Sequence, residues 1–225
     1  MRKTPEAQRI MDNHIVDDQA KRIFLYKWFA NLFAKEIDET TLALYRTDTG
    51  QGLLAEMKEI AAIAPTAQAL REYAQKADPI SSIVNSLASS FAFLFLGSGG
   101  KKSVPPYESA FTGTTGRLYQ APASKMEALL LANDLSPGLL ASEPADHLAI
   151  QLSLLAHLCE QGSTDKELAF LENHLLVWVA DFACACKAHD QEGFYGTAAV
   201  SLVGWLKDQR DALHIQLADL QKPKN

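Results

Sequence analysis

The sequence predicts an all-α protein, a helical bundle of two helical subdomains joined by a linker, and three observations carry that prediction. Apolar side chains recur at three- and four-residue spacings from residue 17 nearly to the end of the chain. Nowhere do Val, Ile, Thr and aromatic residues alternate with polar ones for long enough to make a strand. Proline and glycine clusters cut the helical pattern into segments of helix length. With 225 residues, 48% of them apolar and 21% charged, the composition is that of a globular protein rather than a disordered one. That length suits one domain or two small ones.

The first helix places Leu25, Trp28, Phe29, Leu32 and Phe33 on one face, the spacing of a core-facing stripe. Shorter helices are expected over 40–46, 52–63 and 66–77, with Gly50, Gly52, Pro65 and Asp78-Pro79 as breaks between them. A helix starting near Pro79 carries Ile83, Leu87, Phe91, Leu94 and Phe95. Phe93 and Leu96 widen that stripe until the helix is apolar almost all round, the pattern of a buried central helix. Gly97-Ser98-Gly99-Gly100 stops it, and the prolines and lysines of Lys101 to Pro106 make an irregular, exposed loop. A helix over 123–133 follows.

Asp134, Ser136, Pro137, Gly138 and Ser142 are turn formers, so residues 133–142 read as a hinge between an N-terminal helical domain (1–132) and a C-terminal one (143–225). Beyond the hinge, Leu148, Leu152, Leu155 and Cys159 repeat at four, three, four, predicting an amphipathic helix from Pro144 to Gln161 that Gly162 closes. Thr164 and Glu167 match a capping box for one long helix through Leu168, Leu171, Leu175, Trp178 and Phe182 to near His189. A final helix spans Phe194 to Leu220.

A net charge of −6 and the absence of a basic stripe interleaved with aromatics argue against nucleic acid or an anionic membrane as partner; a cationic partner suits this surface better. Met1-Arg2-Lys3 leads into the polar run Thr4 to Arg9 rather than an apolar stretch, and no run of about 18 apolar residues occurs, so a cytoplasmic location is expected. Cys159, Cys184 and Cys186 lie in apolar helical segments, where a free cysteine acts as a small buried hydrophobe. Two positions apart on a helix, Cys184 and Cys186 point about 200° apart and cannot grip one metal ion. No metal and no cofactor is expected.

Catalytic patterns fail one by one. Gly97 to Ser103 superficially resembles a phosphate-binding loop, yet Phe95 stands at the first glycine position, Lys102 intervenes before Ser103, and a helix rather than a strand precedes. Asp146 and His147, adjacent on a helix, point about 100° apart and make no dyad. His157 lies about 15 Å further along. His174, His189 and His214 lack metalloprotease spacing, and no G-x-S-x-G elbow occurs. The expectation is therefore a protein without catalytic residues. Lys21 to Lys27 loosely echoes a twin-arginine export motif, but it sits inside an amphipathic helix, and its aromatics belong in the core.

Two motifs remain, Pro105-Pro106-Tyr107-Glu108-Ser109 and Glu143-Pro144-Ala145-Asp146-His147-Leu148. Read as a helix start, the second places Pro144 at the first helical position and Asp146 against the positive end of the helix dipole, which leaves His147 unexplained. Together with Leu152 and Leu155, these motifs resemble the two signatures of the TorD family of cytoplasmic redox-enzyme maturation chaperones. The likeness extends from Tyr26-Lys27-Trp28-Phe29-Ala30-Asn31-Leu32-Phe33 to Gly193-Phe194-Tyr195. The resemblance implies an all-helical bundle that binds the apo form of a molybdenum-containing trimethylamine N-oxide reductase. It also implies recognition of that client's twin-arginine leader, which delays export until the molybdopterin cofactor is inserted, with no molybdenum held by the chaperone.

Under that resemblance Tyr107, Glu108, Glu143, Pro144, Asp146, His147, Leu148 and Leu152 form the client and leader site. Glu108, Glu143 and Asp146 offer carboxylates to guanidinium groups. Tyr107, Leu148 and Leu152 line an apolar groove, and His147 donates to client backbone. One departure is Ser90, where many relatives place an acidic residue before the aromatic. The alternative function is a nucleotide-responsive, GTP-binding switch or enzyme using Gly97 to Ser103. A homodimer, including one formed by domain exchange across the 133–142 hinge, is a further expectation.

Overall fold

The computed structural model describes residues 5–113, 121–136 and 142–220, with side chains from residue 18 onward. Among these residues the chain forms eleven α-helices. They are α1 (Pro5–Ala34), α2 (Glu39–Arg46), α3 (Asp48–Lys58), α4 (Ala64–Gln75), α5 (Ile80–Phe95), α6 (Glu108–Thr112), α7 (Ala121–Ala132), α8 (Leu148–Glu160), α9 (Thr164–Phe170), α10 (Val179–His189) and α11 (Phe194–Leu220). The one extended pairing among the described residues is an isolated antiparallel bridge between Tyr107 and His147. The fold is all-α, as the periodicity predicts.

The N-terminal helices start where side chains can satisfy their free N–H groups. Asp38 accepts from the Thr41 N–H at 2.7 Å to cap α2, and Thr47 accepts from the Gly50 N–H at 3.1 Å to cap α3. Gly50 and Gly52 are therefore inside α3 rather than breaks before it. Gly50 is a packing residue: a Cβ there would lie 2.1 Å from the Leu44 carbonyl oxygen. Pro65 likewise opens α4 from its first turn instead of ending a helix.

Helix α5 ends in a capped turn. Gly97 takes a positive φ of 84°, the Gly99 N–H donates to the Phe93 carbonyl at 3.1 Å, and the Val104 N–H donates to the Leu94 carbonyl at 2.6 Å. The Ser103 hydroxyl donates to Phe93 as well, at 3.0 Å. The helix is not apolar to its neighbours all round: Phe93 is half-buried and Leu96 is 65% exposed.

The predicted single helix from 164 to 189 is broken. Its amino end starts from Ser163 without a side-chain cap: the Glu167 N–H bonds the Ser163 carbonyl as the first helical hydrogen bond, and the Glu167 side chain turns inward to Tyr26 and Arg22 instead of closing a capping box. Leu171–Leu175 forms a widened π turn, with the Leu176 N–H reaching back five residues to the Leu171 carbonyl at 2.9 Å. The axis bends by 52° between Thr164–Leu175 and Val179–His189. The bend turns Trp178 inward, against Phe111 at 5.5 Å and Phe182 at 5.7 Å between ring centroids. No single helix among the described residues is long and apolar enough to cross a membrane.

The core is one aromatic-rich mass. Helix α1 lies along α8, and α10 lies along α11. Phe29 stacks on Trp205, while Phe33 meets both Phe95 and Phe182 edge-on. Residues from the 1–132 and 143–225 segments thus share this interior. Of the hinge between them, residues 137–141, including Pro137 and Gly138, lie outside the described residues, as do Met1 to Thr4. A deep ion pair fastens α1 to α9: Arg22 Nε sits 3.3 Å from Glu167 Oε1, and the Tyr26 hydroxyl donates to the same oxygen at 2.8 Å. Two expectations of burial fail in part, because Phe24 and Cys184 face solvent while Tyr26, Cys159 and Cys186 are buried. Both exposed side chains lie on the outward flanks of their helices.

Candidate functional site, a polar clasp between two motifs

The two motifs, separated by more than thirty residues of chain, are fastened face to face. The Leu148 N–H donates to the Pro106 carbonyl at 2.8 Å, and the Glu108 N–H donates to the Asp146 carbonyl at 3.2 Å. Pro105 and Pro106 have no N–H to offer and the Tyr107 N–H turns back to the Pro105 carbonyl at 2.9 Å, so the arm's first donor across the clasp is the Glu108 N–H. Asp146 Oδ2 accepts the Ser109 N–H at 2.8 Å, an acidic group within the first turn of α6. The Tyr107 hydroxyl donates to Glu143 Oε2 across the outer edge of the clasp.

His147 is the residue that the sequence left unexplained. Its Nδ1 accepts the Ala149 N–H at 3.0 Å, which makes it the N-cap of α8 and places its proton on Nε2. The helix thus begins at Leu148, and Pro144 heads the preceding turn instead of the first helical position, its carbonyl accepting from the His147 N–H at 3.0 Å. The ring stands edge-on to Tyr107, with centroids 4.9 Å apart. Burial pushes the His147 pKa down to about 4, and nearby Glu143 opposes this only in part, so the ring is neutral near pH 7.

Beneath the clasp a chain of polar side chains runs into the core. Gln151 donates to Glu108 Oε2 at 2.7 Å and accepts the Trp178 indole N–H at 3.3 Å. His174, on the π turn, stands 3.9 Å from Glu108, beyond hydrogen-bonding reach, and stacks on Phe170. Asp146 is 0% exposed, and its Oδ1 finds no hydrogen-bond partner among the described residues; the Ser109 hydroxyl is in the same condition. A buried carboxyl oxygen without a donor is costly and calls for an explanation.

Seven of the eight expected site residues are buried here, and Glu143 is half-buried. Leu148 and Leu152 are sealed in the core rather than lining an open groove, because the α8 stripe that carries them faces α1. His147 does not present a donor outward from Nδ1, since the cap occupies that atom. Gln151, His174 and Trp178 escaped the sequence reading. The signal for Gln151 was available, since a glutamine three residues after Leu148 falls on the apolar face of α8; nothing in the pattern marked the π turn that delivers the other two.

The remaining candidates resolve simply. In the Gly97 to Ser103 loop the Ser98 and Gly99 N–H groups bond carbonyls at the end of α5, where the dipole is negative. Those of Gly100, Lys102 and Ser103 bond carbonyls of the loop itself, so these donors are already used and build no phosphate cradle. Ser90 donates to Asp190 Oδ1 at 2.8 Å, and Asp190 also accepts the Gly196 N–H at 2.8 Å. An acidic side chain at position 90 would therefore face another carboxyl group. Among the described residues no three His, Cys, Asp or Glu side chains gather in a metal-binding group.

The chain is similar to known proteins over most of its length. The family model for the nitrate reductase delta subunit matches residues 59–184, more than half of the chain. The chain is 31% identical over 198 residues to the chaperone protein TorD of Vibrio parahaemolyticus, covering 83% of this chain and 92% of that protein. It is 31% identical over 204 residues to the TorD chaperone of Vibrio vulnificus (86% and 94% covered) and 30% identical over 200 residues to that of Photobacterium profundum (81% and 89% covered). The all-helical fold and the relatives together define the class, a maturation chaperone, whose members act by binding rather than by catalysis. The chain belongs to the TorD family of redox-enzyme maturation chaperones.

Proposed function

We propose that this chaperone binds the apo form of a molybdenum-containing trimethylamine N-oxide reductase in the cytoplasm, together with its twin-arginine leader, and holds it competent for molybdopterin insertion before export. The clasp is the client contact, formed by Tyr107, Glu108, Glu143, Pro144, Asp146, His147, Leu148 and Leu152. The observation that carries this reading is the unpartnered Oδ1 of Asp146 beside Glu108. Two buried carboxyl groups with a free acceptor form a site that a client guanidinium satisfies with paired hydrogen bonds. Because the corner is closed, engagement requires the Tyr107–Glu143 bond to part, and the carboxyl groups then meet the client as the apolar side chains become exposed.

Retention of purified, leaderless apo-reductase on the immobilised chaperone tests this. Asp146→Asn keeps the shape of the side chain and its acceptor for the Ser109 N–H while removing the charge. It is expected to weaken retention about tenfold, with helical circular dichroism unchanged. Equal affinity in Asp146→Asn and Glu108→Gln overturns the site.

Exchange of the 143–225 unit between two copies would preserve the shared interior while converting a monomer to a dimer. Sizing chromatography with light scattering reads that directly, and a monomer at every concentration rules it out.

A further inference from the structure

An open cleft of about 590 Å³ separates the carboxyl end of α1 and the turn after it from the outer flank of α5. Val84, Ala88, Phe91 and Leu96 give it an apolar wall. Leu96, well over half exposed, is a large apolar side chain facing water at a helix end whose carbonyls are already capped, so neither packing nor capping requires it there. Glu36, Asp38 and Glu39 line the same cleft, all exposed, against the single cation Lys35. Hydrogen bonding to Thr41 holds the Asp38 carboxyl below its usual value.

An anionic rim beside an apolar wall fits a segment in which cationic side chains precede apolar ones, and the open cleft accepts it without any rearrangement of the fold. We propose that the cleft between α1 and α5 is the docking place of the client's leader. Paired guanidinium groups meet Glu36 and Glu39, and the apolar stretch lies on the half-buried Val84 and Ala88 and the exposed Leu96, with Phe91 buried beneath them. This rests on the proposed function, because it takes its occupant from that reading, but it assigns the leader to a surface other than the clasp. Guanidinium forks suit the two carboxylates better than ammonium groups, so two lysines in place of two arginines should bind more weakly.

The experiment is fluorescence anisotropy with a labelled synthetic peptide of two consecutive arginines followed by about ten apolar residues. The unmodified protein, the double variant Glu36→Gln/Glu39→Gln and Leu96→Ser are compared, with retention of leaderless apo-reductase measured in parallel. All three altered side chains are exposed, so folding is expected to survive, and circular dichroism checks it. The expected result is at least tenfold weaker peptide binding in each variant with apo-reductase retention unchanged. Unchanged peptide affinity in both variants, or no peptide binding by the unmodified protein, overturns the cleft and leaves the chaperone reading in place. Peptide binding that the variants weaken supports the cleft even where leaderless apo-reductase is not retained, a result that counts against the proposed function alone.

Discussion

His147 holds the clasp together with a neutral ring, and this links the clasp to pH. Its pKa is about 4 in the folded chain, and the unfolded value is near 6.5. Below about 6.5 the unfolded chain takes up a proton that the folded chain refuses, so stability falls as pH drops from there toward 4 and levels off beneath. The whole loss from this one ring is about 3 kcal/mol. His147→Asn retains a capping acceptor without the titration. Its thermal midpoint should therefore fall less steeply between pH 7 and pH 4 than that of the parent, and parallel slopes would rule out this account. Glu167 is the second sensitive residue. Burial raises its pKa, opposed by Arg22 and the Tyr26 hydroxyl. Glu167→Ala leaves Arg22 largely buried without its partner, a change expected to remove about 3–5 kcal/mol in urea titration. A loss under about 1 kcal/mol would show that solvent already screens the pair.

At the scale of elements, Gly50 and Gly52 offer a paired test within one helix. Alanine at 52 meets nothing within 4 Å and should stabilise α3 by up to about 1 kcal/mol through helix propensity. Alanine at 50 drives a methyl into the Leu44 carbonyl and should destabilise by more than that gain. Denaturant midpoints shifting in the same direction for both would contradict the packing described. These glycines also show what sequence reading confuses. As helix breakers they look alike, and only the approach of a neighbouring backbone separates them. The stripe of α1, the apolar run of α5 and the spacing of α8 were legible because 3.6-residue periodicity is a local property. The break after Leu175 was not, because the side chains that hold Trp178 inward at the bend, Gln151 and Phe111, come from elsewhere in the chain. Of the clasp, the residues were legible through resemblance, but their burial was not. A hexapeptide full of polar groups reads as solvated until the partners for its N–H and carboxyl groups are known.

At the scale of the whole molecule, what joins distant parts of the chain is also what fixes its character. The hinge at 133–142 was expected to divide the protein, yet Phe29 with Trp205 and Phe33 with Phe182 place both sides in one interior. On the proposed reading, a client that parts the clasp acts against the outer Tyr107–Glu143 bond and the backbone pairs between the two arms, and it must also loosen α8 from α1 to reach Leu148 and Leu152. The anionic cleft lies outside that fastening and stays available in either state.

The segment between the arms of the clasp is a closed circuit, tied at its base by Leu148 to Pro106 and by Glu108 to Asp146. Trypsin cutting after Lys125, within α7, would sever the covalent chain without untying it. The nicked material should migrate as one particle on a native gel and part into two pieces only once a detergent dissolves the interior, and pieces that drift apart in plain buffer would mean that the knot is weaker than its geometry implies.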